Sequence, residues 1–274
     1  MVKFAFSTNA YKKHSLEEAI GSIAALGYAG VEIMADVPHA YPPHISPERI
    51  QSLKHLLEKF KLGISNVNAF TLFALGDTYH PSWIETDPAL RRQRIAHTLN
   101  CIEMTAALGA KTISLQPGGP MGNDARLTCL DRYEAGLREV LPAAQKHHII
   151  LMVEPEPGLL IETSTQCIEF LSRINHPNLK MNCDLGHFFC VGEDPAHVLK
   201  SAQPWIAHIH LEDIREDRIH QHLIPGRGAM NWPAIFSAIR TIQYTGWITV
   251  ELYPYESTAE EAARAAIDFI QKFA

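Results

Sequence analysis

The chain of 274 residues lacks several features that mark whole classes of protein. No apolar run approaches the roughly 20 residues that a membrane-spanning helix needs, and residues 1–7 are too short and too strand-like for a signal peptide. The five cysteines are scattered, odd in number and never spaced as CxxC, so neither a disulfide framework nor a thiolate zinc site is predicted. We therefore expect a cytoplasmic protein that has no membrane partner.

Positive charge is also scarce. The chain has 24 Lys and Arg against 30 Asp and Glu, which gives a formal net charge of −6. Because phosphate contacts need clustered Lys and Arg, a nucleic-acid partner is not expected. Linkers, charge blocks and low-complexity segments are missing too, and 46% hydrophobic with 20% charged residues is typical of a globular protein. The sequence therefore predicts a single domain over residues 1–274.

Strand signals alternate with amphipathic helix signals along the whole chain. Helix starts are marked by Ser15 with Glu18 three residues later, a capping box, and by proline after a capping residue at Ser46 and Asp87. Strands are predicted at 2–7, 31–34, 63–68, 111–116, 149–153, 179–184, 205–210 and 247–251, with helices near 15–26, 46–60, 87–108, 129–147, 163–173, 194–202, 231–242 and 257–272. Eight strand–helix pairs in this length predict an α/β fold, a (β/α)₈ TIM barrel.

Four of the predicted strands end on, or are directly followed by, a residue type that binds metals: Glu154, Asp184, His210 and Glu251. In such barrels the working residues lie at the C-terminal ends of the strands. Any one of the four is equally well explained as a helix cap or a salt-bridge partner, but four on successive strands favour one common site. Two glutamates, an aspartate and a histidine suit one divalent metal ion, Mn²⁺, Zn²⁺, Mg²⁺ or Co²⁺. The ion would also offset the repulsion among three carboxylates.

Histidine is abundant, with 15 in the chain, and three of them follow the predicted metal ligands. His187 comes three residues after Asp184, in a predicted loop over the site. His220 and His222 alternate after strand seven, and in an extended segment they would point the same way. Arg218 in the same loop is a candidate substrate contact. The alternative is that all four belong to ordinary polar loops.

The segment from Asn68 to Trp83 carries three more aromatic residues, Phe70, Phe73 and Tyr79. Loops at this end of a barrel often carry function. The segment could form an apolar wall or a lid, or it could pack against the third helix; the sequence supports both.

Five segments together resemble the sugar phosphate isomerase/epimerase family of xylose-isomerase-like barrels. These segments are VEP at 153–155, DLGH at 184–187, HIHLED at 208–213, PGRG at 225–228 followed by Asn231-Trp232, and GWITVE at 246–251. The family includes ketose 3-epimerases, hydroxypyruvate isomerases, inosose dehydratases and endonuclease IV. The resemblance spans essentially the whole chain and implies that Glu154, Asp184, His210 and Glu251 bind one divalent metal. It also implies that Glu154 and Glu251 are the catalytic acid–base pair.

Differences from endonuclease IV narrow this expectation. That enzyme has a three-zinc site with extra histidines after strands three and four, where this chain has Asn68 and Gln116. The residues that match the ligands of its third zinc are all histidine here: His187, His220 and His222. They could form a second metal site or hydrogen-bond a sugar. We favour substrate binding, because His187 matches a substrate-binding histidine in the epimerases.

The resulting expectation is a metal-dependent isomerase or epimerase whose partner is a small sugar or polyol, phosphorylated or not. Proton transfer next to a carbonyl would pass through an enediolate, with one of Glu154 and Glu251 removing the proton and the other returning it. One alternative is a metal-dependent lyase, similar to inosose or dehydroshikimate dehydratase. A phosphodiesterase similar to endonuclease IV is disfavoured by the missing histidines and the acidic charge. A homo-oligomer is an open expectation, since relatives are often dimers or tetramers.

Overall fold

The computed structural model describes residues 2–273 and contains eight strands that alternate with helices. The strands are β1 Lys3–Ser7, β2 Gly30–Met34, β3 Gly63–Asn68, β4 Thr112–Leu115, β5 Ile150–Val153, β6 Leu179–Asp184, β7 Ile206–Leu211 and β8 Trp247–Val250. The helices are α1 Leu16–Ala25, α2 Pro47–Phe60, α3 Pro88–Leu108, α4 Arg126–Lys146, α5 Ser164–Ile174, α6 Leu185–Cys190, α7 Pro195–Ser201, α8 Trp232–Thr241 and α9 Ala259–Ile270. Short 3₁₀ turns lie between them.

The strands form a closed parallel barrel in chain order, β1 to β8. β1 closes the barrel by pairing with β8, with Phe4 opposite Ile248 and Phe6 opposite Val250. Each strand therefore ends at the same rim, where the candidate site residues were expected. The predicted (β/α)₈ TIM barrel is confirmed.

The helix starts follow local capping chemistry. Ser15 Oγ accepts from the Glu18 backbone N–H, and Glu18 Oε2 accepts from the Ser15 N–H at 2.8 Å. Ser46 and Asp87 cap α2 and α3 through their side chains, which accept from the Arg49 and Ala89 backbone N–H groups, and each is followed by proline. Capping leaves fewer unpaired N–H groups at the helix ends and fixes where each helix begins. The predicted starts of α1, α2 and α3 are confirmed.

One helix differs from expectation. The segment after Asp184 was predicted to be a loop, yet it forms the short helix α6. The Asp184 side chain accepts from the His187 backbone N–H at 2.9 Å, so the aspartate caps this helix. Capping by a residue at the strand end removes the need for a loop, and His187 is held one turn above Asp184.

The lower end of the barrel is closed by Trp247 at the start of β8. A Cβ atom at Gly30 would lie 2.6 Å from the Trp247 ring, and one at Gly63 would lie 2.7 Å from it. Only glycine leaves room for the indole at these two positions. This packing is at the rim opposite the candidate site and serves stability.

The barrel interior is unusually polar. Ser65 Oγ and His208 Nε2 both lie 2.9 Å from Thr249 Oγ1, and Asn66 Nδ2 donates to Ser114 Oγ at 2.9 Å. Barrels of this kind are usually filled by branched apolar side chains. Here the apolar residues of the strands face the helices, and a hydrogen-bonded polar layer lies beneath the upper rim.

Two expectations about the chain as a whole concern membranes and cysteines. Among residues 2–273 we find no helix with both the length and the apolar character needed to span a bilayer. All five cysteines are free, as the sequence predicts.

Candidate metal centre

The four strand-end residues meet at the upper rim of the barrel. Glu154 and Glu251 directly follow β5 and β8, Asp184 ends β6, and His210 lies near the end of β7. One ligand atom from each lies within 4.8 Å of the others. Two ligand atoms on opposite sides of an ion, each bonded to it at about 2.4 Å, are about 4.8 Å apart. The spacing is therefore compatible with one shared cation.

Two of the carboxylate oxygens in this cluster have no hydrogen-bond partner in the protein. His210 Nδ1 lies 3.0 Å from Glu154 Oε1, 3.7 Å from Asp184 Oδ2 and 3.8 Å from Glu251 Oε1. Glu154 Oε2 and Asp184 Oδ2 are buried without a hydrogen bond. Because a buried charged oxygen without a partner is costly, these two atoms fit metal ligands better than structural acceptors.

The electrostatics of the cluster support the same fit. Burial raises the pKa of Glu251 well above its usual range, and the neighbouring carboxylates raise it further. Burial lowers the pKa of His210, but Glu32, Glu154 and Glu251 outweigh it and raise that pKa well above its usual value. The protein alone thus needs added positive charge at this place, and a divalent ion would supply it.

Glu32 on β2 is a member of the site that the sequence analysis missed. It is fully buried, and its Oε2 accepts from His210 Nε2 at 2.6 Å. His210 is therefore held with Nε2 protonated and Nδ1 directed at the other three ligands. A carboxylate behind a histidine commonly fixes the tautomer of a metal ligand. The pKa of Glu32 is lowered to about 2, because burial raises it less than His210 and its other hydrogen-bond partners lower it.

Two amides hold Glu251 in place. Asn9 Nδ2 donates to Glu251 Oε1 at 2.8 Å, and Asn68 Nδ2 donates to the same oxygen at 3.1 Å. Asn68 was noted only as a replacement for a zinc-binding histidine, and Asn9 was not predicted at all. Gln116, the second replacement, donates to the Tyr79 carbonyl and takes no part in the cluster.

The three histidines that follow the ligands also converge. The Nε2 atom of His222 lies 3.3 Å from Nε2 of His220 and 3.3 Å from Nε2 of His187. His187 Nδ1 lies 2.9 Å from the Pro155 carbonyl and His222 Nδ1 lies 2.9 Å from the Glu251 carbonyl. These acceptors require protonated Nδ1 atoms, so the unprotonated nitrogens face one another. Such an arrangement needs a shared proton or a cation between the rings.

The pKa values in this histidine cluster, formed by His187, His220 and His222, are shifted in different directions. Burial lowers the pKa of His187, but Asp184, Glu156 and Glu154 together raise it above its usual value. Burial and repulsion from His187 lower the pKa of His220 to about 2, and burial is the main reason why the pKa of His222 falls to about 4. Asp184 Oδ2 lies 3.7 Å from His187 Nε2 and contributes most among the groups that raise the pKa of His187.

Arg218 is not brought to the site. Its side chain is exposed, donates to the Phe189 carbonyl at 3.1 Å and lies 4.7 Å from the Phe189 ring. Its backbone has a φ of 59°, in the left-handed region. The expectation of a substrate contact at Arg218 finds no support in this geometry, because the guanidinium group is directed at the protein surface.

A cavity of about 200 Å³ lies above the cluster. Glu154, Glu156 and Glu251 reach it from the barrel, with His187 and His220 at one side. An apolar wall faces them, formed by Met34, Phe70, Phe73, Tyr79 and Tyr253. Pockets for drug-sized ligands measure about 300–1,000 Å³, so this cavity fits a small molecule.

The two interpretations of the segment 68–83 each hold for part of it. Phe70, Phe73 and Tyr79 line the cavity. Trp83 is instead buried in the core, with its ring 5.6 Å from that of Tyr133. The first part of the segment is thus a wall of the cavity, and its end packs against the helices.

Asp36 fixes this wall from one side. The carboxylate is fully buried and accepts from Thr71 Oγ1 at 2.9 Å, from the Phe73 N–H at 2.5 Å and from the Ala74 N–H at 3.1 Å. Three donors on one buried carboxylate hold the loop backbone in one conformation.

Arg94 on α3 fixes it from the other side. The buried guanidinium donates to the backbone carbonyls of Ala69, Phe70 and Pro81. Burial lowers the pKa of Arg94 to about 10, so it stays charged at neutral pH. The buried side chains of Asp36 and Arg94 therefore hold the wall from two sides.

Comparisons with known proteins agree with this fold. A family model described as a xylose isomerase-like TIM barrel matches residues 20–273. An inosose dehydratase from Lacticaseibacillus casei is 25% identical over 268 residues, which cover 88% of this chain and 83% of that protein.

Solved structures show the same barrel. D-psicose 3-epimerase from Clostridium cellulolyticum H10, solved with D-tagatose, superposes with a TM-score of 0.80 at 18% identity over 99% of both chains. The protein IOLI, solved with a zinc atom, superposes with a TM-score of 0.83 at 20% identity over 100% of this chain and 99% of that one. Because both identities are low, these likenesses concern the fold. The family model covers most of the sequence, and the chain therefore belongs to the xylose isomerase-like TIM barrel family.

Proposed function

We propose that this protein is a divalent-metal-dependent isomerase or epimerase that moves a proton at a carbon next to the carbonyl of a small sugar or polyol. The observation that carries the proposal is the cluster of Glu154, Asp184, His210 and Glu251, which lies at the floor of a small cavity with two unpaired carboxylate oxygens. The zinc in the related IOLI structure and the ketohexose in the related epimerase structure support it. When bound, the ion would polarise the substrate carbonyl and favour an enediolate.

The acid–base pair would be Glu154 and Glu251, since both reach the cavity. Glu251 is oriented by Asn9 and Asn68 through one oxygen, which leaves the other oxygen for proton transfer. Glu154 Oε2 has no protein partner. Two carboxylates that enter the cavity from β5 and β8 can remove a proton from one side of a bound carbon and return it from the other.

A dehydratase is the second candidate, because the inosose dehydratase relative matches most of the chain. Dehydration begins with the same proton abstraction but then expels a hydroxyl group, which needs a proton donor of its own. Glu156 is a third carboxyl group at the cavity, and its Oε1 accepts from Tyr79 Oη at 3.0 Å. Its position away from the metal cluster is what such a donor would need.

The experiment uses protein stripped with a chelator and reloaded with Mn²⁺ or Zn²⁺. Ketoses and inososes are incubated in D₂O, and NMR follows deuterium entering next to the carbonyl. Epimerisation gives a deuterated isomer, whereas dehydration gives a product that has lost water. Removing an acid–base group costs typically 10²–10⁴-fold in rate, so Glu251→Gln is expected to lose at least about 100-fold.

Glu261 is exposed on α9, and Glu261→Gln is the matched control. Metal content is measured in every variant, because Glu251 is also a proposed ligand. Full exchange activity in Glu251→Gln at unchanged metal content would refute the acid–base assignment. Equal activity of stripped and reloaded protein would refute the metal requirement.

A further inference from the structure

We infer that the substrate is an uncharged polyhydroxylated carbonyl compound that carries neither a phosphate nor a carboxylate group. The inference rests on the proposed function, since it takes the cavity above the metal cluster as the substrate site. It follows from the charges and hydrogen-bond partners of the side chains that line this cavity.

Negative charge dominates the lining. Three carboxyl groups reach the cavity, those of Glu154, Glu156 and Glu251. Asp184 and Glu32 lie directly behind them and are fully buried. One divalent ion offsets only part of this charge. A substrate anion placed among these groups would meet like charges, which is the usual way in which a site rejects the wrong ligand.

Among the fifteen residues that line the cavity, one has a lysine or arginine side chain, and it is Lys12. Its Nζ lies 2.7 Å from Glu256 Oε1 and 5.5 Å from the centre of the Phe73 ring. The ammonium group is thus already paired at the rim. Recognition of phosphate or carboxylate normally uses arginine forks or several donors, and the lining described here contains no arginine.

The two lining histidines do not replace a cation. His187 directs Nδ1 to the Pro155 carbonyl, and its Nε2 faces His222 and Asp184. His220 directs Nε2 to His222, at 3.3 Å, and its Nδ1 lies 3.9 Å from Glu156 Oε1, so an anion there would meet that carboxyl group. Because these nitrogens are directed at protein atoms, the rings can border a ligand but have little capacity left for an anion.

The remaining lining suits a neutral polyol. Asn9 Oδ1 is buried without a partner, and the carboxylates of Glu154 and Glu156 can accept from hydroxyl groups. On the other side the rings of Phe70 and Phe73 offer apolar faces for C–H groups. Acceptor groups opposite an apolar wall, in about 200 Å³, match a monosaccharide or a cyclitol.

The test uses Mn²⁺-loaded protein and matched pairs of neutral and anionic ligands. The pairs are D-tagatose with D-tagatose 6-phosphate, and scyllo-inosose with 3-dehydroshikimate. Isothermal titration gives the Kd of each, and turnover is recorded separately. We expect a neutral member to bind at least 100-fold more tightly than its anionic counterpart. An anionic member that binds as tightly as its neutral counterpart overturns the inference.

A second arm adds a cation to the cavity wall. Thr78 lines the cavity, and Thr78→Lys supplies an unpaired ammonium group, while Thr78→Gln is the neutral control of similar size. We expect Thr78→Lys to bind D-tagatose 6-phosphate at least tenfold more tightly than wild type, with no such gain in Thr78→Gln. Wild-type protein that binds the phosphate as tightly as Thr78→Lys overturns the inference, even where no neutral ligand of the panel binds.

Turnover separates this inference from the proposed function. Selective binding of neutral ligands without deuterium exchange or dehydration would refute the proposed reaction and support the charge assignment. Turnover of the phosphate or the carboxylate alone would support proton transfer and refute the charge assignment.

Discussion

Replacing Glu32 with glutamine tests whether a carboxylate behind His210 sets the affinity for the metal. Glu32 Oε2 accepts from His210 Nε2 at 2.6 Å and from Asn66 Nδ2 at 2.9 Å, while Oε1 accepts from Asn68 Nδ2 at 3.2 Å. Glutamine has nearly the same shape but offers one oxygen and one NH₂ group. In either orientation the amide NH₂ group of the glutamine faces at least one N–H donor of His210, Asn66 or Asn68. The substitution also removes the negative charge.

The expected effect can be scaled from these contacts. A hydrogen bond to a charged group contributes about 1.5–3 kcal/mol, and changes to the partner of a ligating histidine typically reduce metal affinity about 10–100-fold. We expect Glu32→Gln to raise the Kd for Mn²⁺ or Zn²⁺ within that range, or about 1.4–2.7 kcal/mol. His210 loses the acceptor that keeps Nδ1 directed at the metal cluster, so the affinity falls although no ligand is removed.

The assay is a competition titration of chelator-stripped protein against a fluorescent chelator. Glu169→Gln, at an exposed position on α5, is the control and should leave the Kd unchanged. Thermal unfolding of the stripped proteins shows whether a loss of affinity merely reflects misfolding. A Kd for Glu32→Gln within twofold of wild type, in folded protein, would refute the role assigned to Glu32.

The same residue and three others give further expectations. Because the pKa of Glu32 is lowered to about 2, its stabilisation is complete above the ordinary value of 4.5 and is lost as the pH falls towards 2; chemical unfolding of wild type and Glu32→Gln should therefore converge in acid. Asp36→Asn should lower the free energy of unfolding by about 1–3 kcal/mol, measured by denaturant titration, because in either orientation the amide NH₂ faces a backbone N–H, that of Phe73 or those of Val37 and Ala74. Gly186→Ala should reduce the melting temperature and the metal affinity, because a Cβ there overlaps Glu212 Oε1, and Gly186→Ala with Glu212→Ala should recover part of the loss. Elemental analysis should find about one ion per chain in both wild type and His187→Ala; two ions at full occupancy in wild type would mean that the histidine cluster holds a metal.

The barrel and its four strand-end residues could be predicted because both follow from short-range patterns. Alternating strand and helix signals with capping residues fix the order of elements, and chain order alone determines which strands are neighbours in such a barrel. Once the strands are parallel and adjacent, Glu154 and Asp184 must reach the same rim. No long-range information was needed for that step.

Glu32 could have been predicted from the residues that lie one layer deeper in the barrel than the four strand-end residues. Side chains that point into the barrel alternate along each strand, so the polar residue two positions before a ligand faces the interior as well. His208 before His210, Thr249 before Glu251 and Asn182 before Asp184 follow this rule. Glu32 interrupts the apolar strand β2 at the matching depth, with Ser7 and Asn66 opposite it on the neighbouring strands. The sequence therefore contains a pattern that predicts an inward-facing Glu32, but the sequence analysis assigned no role to this residue.

The loops resisted prediction for a physical reason. Arg218 was offered as a candidate substrate contact because of its position in the sequence, whereas its guanidinium group donates to the Phe189 carbonyl and packs on the Phe189 ring. The cavity wall depends on Asp36 and Arg94, whose partners are loop backbone atoms far along the chain. Contacts of this kind have no periodic signature, since any residue can supply a backbone N–H or carbonyl.

The difference between strand residues and loop residues also separates the proposed chemistry of the site from its proposed specificity. The proposed proton transfer depends on residues carried by strands, which the polar barrel interior holds in place through bonds such as that between His208 and Thr249. A site on strands is positioned more rigidly than one on loops. The proposed preference for a neutral substrate depends instead on the loop wall at Phe70 and Phe73 and on the lack of an unpaired cation in the cavity lining. A barrel with the same four strand-end residues could therefore keep the proposed first chemical step and act on another substrate, because the loops can change without disturbing the strands.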